Sequence, residues 1–242
     1  MKITFLGTRG NIESRTRVHK NHSSLLVEYY RRKIMIDAGG DWLGKLDEIN
    51  PDAILLTHAH PDHAFGLKDG SPSKVFATEK SWKGMKNFPV EKGKKFVVKV
   101  EDAFKFGKLF IEAFSVEHSI KAPAVGYKIS AGNSTIFYSP DIIYVHNREE
   151  AFKNVDLYIG DGATINKSFI RKRNKKLIGH ATIDSQLAWC EKDNIPRAII
   201  THCGSQIVDG DGRKVNPMIQ NMGKERGVDV EVAADGMELV LK

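Results

Sequence analysis

Three histidines and an aspartate fall within six positions, His58-Ala59-His60-Pro61-Asp62-His63, directly after the apolar run Ala53-Ile54-Leu55-Leu56. Side-chain direction repeats every two residues in extended chain, so His58 and His60 point the same way. Both imidazoles can then reach one ion at roughly 2.0–2.1 Å. Asp62 and His63 remain for a second ion. Pro61 fixes the backbone locally, and Asp62 is placed to start a short helix over residues 62–67. Four ligands cannot complete two sites, which predicts further His or Asp residues where later strands end. Three follow apolar β runs in this way: His118 after Phe110 to Val116, Asp141 after Ile136-Phe137-Tyr138-Ser139-Pro140, and His202 after Ala198-Ile199-Ile200-Thr201. All could project from one rim. Two cations a few ångströms apart acidify a shared water and stabilise negative charge on an attacked phosphoryl or carbonyl group, so hydrolysis is the chemistry to expect.

The elements that must position these residues are mostly strands. Period-two or continuous apolar runs predict strands over residues 2–6, 24–29, 33–36, 53–56, 75–77, 95–98, 109–113, 124–129 and 134–138, with Gly132-Asn133 as a hairpin turn between the last two. The rhythm then becomes strand, helix, strand: 157–159, an amphipathic helix from Thr182 to Asp193, 198–201, a helical segment from Pro217 to Arg226, and 228–232. Two mixed β-sheets with helices outside them, an α/β (α+β) class, satisfy this order better than one doubly wound parallel sheet. A single domain over residues 1–242 accommodates it. Lys167 to Lys176 reads as an exposed loop or helix edge: solvated first, a phosphate contact second. His19 and His22, near Arg15 and Arg17 in a charged loop, read first as solvated surface and second as facing the pocket.

Only two cysteines, Cys190 and Cys203, occur among the 242 residues, which removes a disulfide framework or an all-cysteine zinc site. Any metal must be held by His and carboxylates, a donor set suited to zinc, manganese or iron. Cys203, beside His202, is expected to pack as a small apolar residue behind the site. A formal charge of +7 favours anionic partners and equally serves solubility. No uncharged apolar run approaches the roughly 18 residues of a membrane span, so a cytoplasmic protein without a membrane partner is expected, with a homodimer an allowed assembly.

The cluster His58-Ala59-His60-Pro61-Asp62-His63 resembles the H-x-H-x-D-H hallmark of the metallo-β-lactamase superfamily of hydrolases. Asp37 ending an early strand, His118, Asp141 and His202 stand as counterparts of its other markers, in order, from residue 3 to about residue 205. The resemblance implies a four-layer αββα sandwich. It also implies two divalent metal ions, with zinc the expected element: the first held by His58, His60 and His118, the second by Asp62, His63 and His202, with Asp141 between them. Ile3-Thr4-Phe5-Leu6-Gly7-Thr8, Ser23-Ser24, Ile36-Asp37-Ala38-Gly39 and Gly179-His180-Ala181-Thr182 are similar to the ribonuclease Z and cyclic-phosphate phosphodiesterase branch.

By that resemblance, His180 assists phosphodiester cleavage. The implied roles are a metal-bound hydroxide nucleophile oriented by Asp62 and Asp141, with His180 stabilising charge or protonating the leaving oxygen. Asp37 either orients a ligand from behind or caps the turn at Ala38-Gly39-Gly40. The expected substrate is an anionic phosphodiester, small and cyclic or part of RNA or DNA. The short interval from His118 to Asp141 leaves no room for the long arm with which ribonuclease Z grips transfer RNA. Thioester or lactone hydrolysis by the same metal pair, and metal-dependent nucleic-acid binding without turnover, are the alternatives.

Overall fold

The computed structural model describes residues 1–242. The strands in chain order are β1 (Lys2–Gly7), β2 (Ser24–Tyr29), β3 (Arg32–Ile36), β4 (Ala53–Leu55), β5 (Lys74–Thr78), β6 (Lys95–Val98), β7 (Ala103–Phe106), β8 (Leu109–Glu117), β9 (Ala124–Ala131), β10 (Ser134–Tyr138), β11 (Tyr144–Val145), β12 (Leu157–Asp161), β13 (Arg171–Arg173), β14 (Lys176–Ile178), β15 (Arg197–Thr201), β16 (Asp229–Val232) and β17 (Glu238–Val240). The helices are α1 (Leu46–Ile49), α2 (Pro61–Ala64), α3 (Glu79–Gly84), α4 (Arg148–Phe152), α5 (Ile183–Lys192), α6 (Ser205–Val208) and α7 (Gly212–Glu225).

One sheet runs β17-β1-β2-β3-β4-β5-β6. The other runs β11-β8-β9-β10-β12-β15-β16, with β7 also paired to β8. Each sheet is antiparallel at one end and parallel at the other: β3 to β6 are parallel in the first, and β10, β12, β15 and β16 in the second.

The continuous apolar runs arise because both faces of these strands are covered. In β10, Ile136 and Tyr138 enter the core between the sheets while Phe137 packs outward beneath the helices, and β15 divides Ile199 from Ala198 and Ile200 in the same way. Ile3, Phe5, Ile34 and Leu55 meet Ile111, Tyr127, Ile136 and Ile159 in that central core. Helices α5 and α7 cover the outer face of the second sheet through Leu187 and Ile219, and Met35, Ile54, Leu67, Val75 and Met85 form the outer layer of the first. The result is helix, sheet, sheet, helix.

Phe137 is fully buried against Phe114, Phe152 and Tyr158. Phe137→Ala is therefore expected to cost about 3–5 kcal/mol, read from the midpoint of guanidinium unfolding.

Several expectations need correction. The last helix starts at Gly212, not Pro217, because the Asp211 side chain caps it by accepting from the Arg213 amide; Pro217 is accommodated inside. Strand β8 runs on to Glu117, and its length lets β7 and β11 pair with its two ends. Residues 171–178 form a β-hairpin rather than a loop or helix edge. The short strands β7, β11 and β17 are additional to those expected; β11 and β17 carry little apolar pattern of their own, whereas β7 alternates Phe104 and Phe106 toward the core. No helix is long and apolar enough to cross a membrane.

Candidate metal centre

The parallel strands of both sheets end on one rim, where open α/β sheets present their ligand sites. Asp37 follows β3, His58 follows β4, Asp141 follows β10, Asp161 closes β12 and His202 follows β15, while His118 follows the antiparallel β8. Asp37 and His202 both occupy the left-handed region (φ +63° and +52°), which is uncommon for non-glycine residues. Gly39 is required here, since a Cβ on it would lie 2.0 Å from the Asp62 carbonyl oxygen.

The Asp62 side chain does not cap α2. His60 is the N-cap, and Asp62 turns into the rim cluster, where its Oδ2 lies 3.2 Å from His202 Nε2.

Three overlapping groups of side chains converge there. His58, His60 and His118 form the first; Asp62, His63, Asp141 and His202 form the second; Asp141 and His202 also group with Asp161 and His180. Groups of this composition are compatible with divalent metal ions.

The fit is visible in how each ring is held. His58 Nδ1 lies 3.0 Å from the Thr57 hydroxyl, which itself donates to the Asp37 carboxylate at 2.8 Å, so His58 Nδ1 carries the proton and Nε2 faces inward. His118 Nδ1 donates to the Gly179 carbonyl at 3.0 Å, likewise freeing Nε2. His60 presents Nδ1, 2.9 Å from His58 Nε2 and 3.3 Å from His118 Nε2. Three ring nitrogens this close are compatible with a shared divalent cation. Burial depresses all three pKa values, His58 furthest, so the rings are neutral, the form that ligates metal.

Asp37 is completely buried and accepts from the Thr57 amide at 2.8 Å and from His63 Nδ1 at 2.8 Å, which aims His63 Nε2 into the second group. It thus orients a ring rather than capping the 38–40 turn. His63 Nε2 comes within 2.7 Å of Asp141 Oδ2, yet has no hydrogen-bond partner, and neither does Asp141 Oδ1 or His202 Nδ1. Buried polar atoms left this way signal a missing partner.

Burial opposes charge on Asp62 and Asp141, but His63 beside the first and His118, His202 and His63 around the second hold both carboxyls well below the ordinary range. Burial likewise opposes charge on His63, which Asp62 and Asp37 nevertheless raise well above the usual value. His202 is raised to about 9 against burial, chiefly by Asp141. An excess of buried carboxylate therefore binds cations here, either protons or metal.

His180 stands beside the second group, its Nδ1 2.7 Å from Asp161 Oδ2 and 3.1 Å from Asp141 Oδ1. Burial pulls this imidazole down, but Asp161 and Asp141 outweigh it and push it up to about 11. The backbone of Asp161 is clamped by the buried Gln186, whose Oε1 accepts the Asp161 amide at 2.8 Å and whose Nε2 donates to its carbonyl at 2.7 Å. Sequence reasoning missed Asp161, although it follows the apolar run Leu157-Tyr158-Ile159 as Asp141 follows its own strand.

Arg9 and Asp41 were also missed. Arg9 is buried and pairs with Asp41 at 2.6 Å, and Asp41 also takes Arg15 and the His22 amide at 2.9 Å. This knot holds the 8–23 loop across the rim, where the Gly10 amide donates to the Cys203 carbonyl at 3.0 Å. Two expectations for this loop are overturned: His19 is buried, 2.8 Å from the Thr8 hydroxyl, and His22 is half-buried against Asp41, so neither is a solvated surface residue. Burial keeps both depressed, His22 to about 4 against the pull of Asp41. Cys203 is buried in the core behind His202.

All of this borders a cleft of about 260 Å³ lined by Asn11, Ile12, His60, Asp62, His118, Asp141, Phe169, His180 and His202, among others.

A sequence profile described as the beta-lactamase superfamily domain matches residues 32–203. The exodeoxyribonuclease WalJ of Streptococcus pneumoniae serotype 2 is 31% identical over 155 residues, covering 57% of this chain and 56% of the relative. A ribonuclease Z of Methanopyrus kandleri is 31% identical over 142 residues, covering 52% of this chain and 49% of the relative. The chain thus spans about half the length of the curated relatives it matches. Among solved structures, the metallo-β-lactamase fold protein YhfI of Bacillus subtilis superposes with a TM-score of 0.77 at 16% identity, covering 98% of each chain. The two-sheet architecture, the rim cluster and the profile match agree: this chain belongs to the beta-lactamase superfamily and has the metallo-β-lactamase fold.

Proposed function

We propose that the chain is a metal-dependent phosphodiesterase that cleaves nucleic acid, using two divalent ions, zinc the expected element. His58, His60 and His118 would hold one ion and Asp62, His63 and His202 the other, with Asp141 shared. Bound there, the ions would supply positive charge to an attacked phosphoryl group and acidify a water.

The observation that carries the choice of substrate is the Asp161–His180 pair facing Asp141 inside the cleft. A hydrolase acting on a thioester or lactone has no need of an imidazole buttressed by a carboxylate beside the metal ligands. A phosphodiester does, because its leaving alkoxide must be protonated and its extra negative charge met. A carboxylate only accepts, so Asp161 keeps the proton on Nδ1 and leaves Nε2 to donate to the leaving oxygen. Asp161 acts through His180 and is a positioning residue. Asp62 and Asp141 orient the attacking water, Asp37 fixes His63, and Gly179 fixes His118. The names of the sequence relatives, an exodeoxyribonuclease and a ribonuclease Z, agree with this substrate class.

His180→Ala is expected to lower kcat/KM for cleavage of a labelled single-stranded oligonucleotide, whose leaving group is an alkoxide that needs a proton, by about 10²–10⁴-fold, the usual worth of a positioned acid. An undiminished rate would return the thioester and lactone readings to the front.

A further inference from the structure

No acidic residue lies between Asp161 and Asp184, while six cations do: Lys167, Arg171, Lys172, Arg173, Lys175 and Lys176. All six are exposed. The β13–β14 hairpin that carries most of them forms a two-stranded sheet of its own, detached from the two main sheets. Arg173 pairs with Lys176 across the two-residue turn Asn174-Lys175, both of which have positive φ (+49° and +62°). Glycine is the ordinary occupant of the second position, so this turn keeps a cation at its tip in a backbone conformation that lysine rarely adopts.

The base of the hairpin is built into the metal centre. The Gly179 amide donates to the His118 carbonyl at 3.0 Å, and the Gly179 carbonyl accepts from His118 Nδ1. A Cβ on Gly179 would lie 2.1 Å from the Phe169 carbonyl oxygen, so Phe169 sits directly on this glycine. Phe169 is 40% exposed and is one of the residues lining the cleft that also holds His180. An apolar ring left open amid histidines and carboxylates suits a flat aromatic partner.

We propose that Phe169 and the β13–β14 hairpin form a clamp for an unpaired nucleic-acid strand, with Phe169 stacking on a base beside the phosphodiester at His180 and the hairpin cations following the strand's phosphates. The clamp rests on the phosphodiesterase reading for its orientation, but its binding needs no turnover. Stacking on Phe169 requires an unpaired base, which favours a single strand over a duplex. The same cations and the exposed Ile170 could also meet an anionic membrane, but Phe169 lining the cleft points to a ligand of the site.

The test is fluorescence anisotropy of labelled phosphorothioate dT12 with the full-length chain. Replacing Arg171, Lys172 and Arg173 with serine is expected to weaken binding and to flatten the slope of log affinity against log salt by about two, since each lost single-strand phosphate contact removes about 0.7. Phe169→Ala is expected to weaken binding roughly five- to hundred-fold, and Phe169→Tyr to restore it. Replacing Lys80, Lys83 and Lys86, in and just after α3 on the other sheet, with serine should leave the affinity near wild type. An unchanged salt slope in the triple serine variant would overturn the clamp. So would a 12-base-pair duplex bound as tightly as the single strand, or a defect seen only with phosphatidylserine vesicles. Tight, hairpin-dependent binding of dT12 without hydrolysis of bis(p-nitrophenyl) phosphate would keep the clamp and remove the phosphodiesterase reading, so the two fail separately.

Discussion

Asp141→Ala is expected to lower phosphodiester turnover by roughly a thousand-fold or more, the largest effect of any single substitution in the centre. The reason is position. Its Oδ2 lies 3.4 Å from His58 Nε2 and 2.7 Å from His63 Nε2, and its Oδ1 lies 3.5 Å from His202 Nδ1, so this carboxylate alone reaches across the first two groups of donors. Without it, the buried negative charge of the second group is halved, since Asp62 is the other carboxylate there. Metal affinity should fall by more than the 10–100-fold that follows loss of a residue merely supporting a ligand. Steady-state rates and metal retained after dialysis measure the two effects. Turnover within about ten-fold of wild type would remove Asp141 from the role given to it.

Asp161→Asn is expected to be nearly as damaging as His180→Ala, about 10²–10⁴-fold in kcat/KM, although the amide occupies the same space. Asparagine can offer its NH₂ group to His180 Nδ1, which favours the tautomer with the proton on Nε2 and a weaker, neutral acid. Removing the carboxylate also takes away the strongest upward pull on His180, leaving the opposing effect of burial. The protonated ring is present below its pKa and lost above it, so a lowered pKa moves the alkaline limb of the rate profile to lower pH. If Asp161 works only through His180, the double variant Asp161→Asn/His180→Ala is no slower than His180→Ala alone. Metal content discriminates further: Asp161 also lies near His202, 3.4 Å from its Nδ1, and a ligand rather than a positioning residue would take metal with it when replaced.

The layers and the rim of the fold were legible in the sequence because strands buried on both faces leave continuous apolar runs, and because each run ended in a polar residue that had to leave the core. Ile136-Phe137-Tyr138 announced both a strand and the approach to Asp141. The helix from Thr182 to Asp193 was readable because its caps are local: the Thr182 hydroxyl accepts from the Ser185 amide. What escaped detection depended on long-range pairing. Strand β17 exists because β1 offers it an edge, and the 171–178 hairpin turns at Asn174-Lys175 without the glycine that usually marks such a turn. His19 and His22 looked solvated among their charged neighbours. Arg9 and Asp41, distant in sequence, fold that loop down over the rim and bury them. Asp161 was overlooked for a different reason. It pairs with His180 from another strand end, and no local spacing links the two.

The claim on which the rest depends is that the rim holds two metal ions rather than buried protons. Elemental analysis of the purified full-length chain by inductively coupled plasma mass spectrometry tests it directly. About two equivalents of divalent metal per chain, falling when Asp141 is replaced by alanine, is the predicted result. One equivalent or less, unchanged by that substitution and not raised by dialysis against zinc, would contradict it.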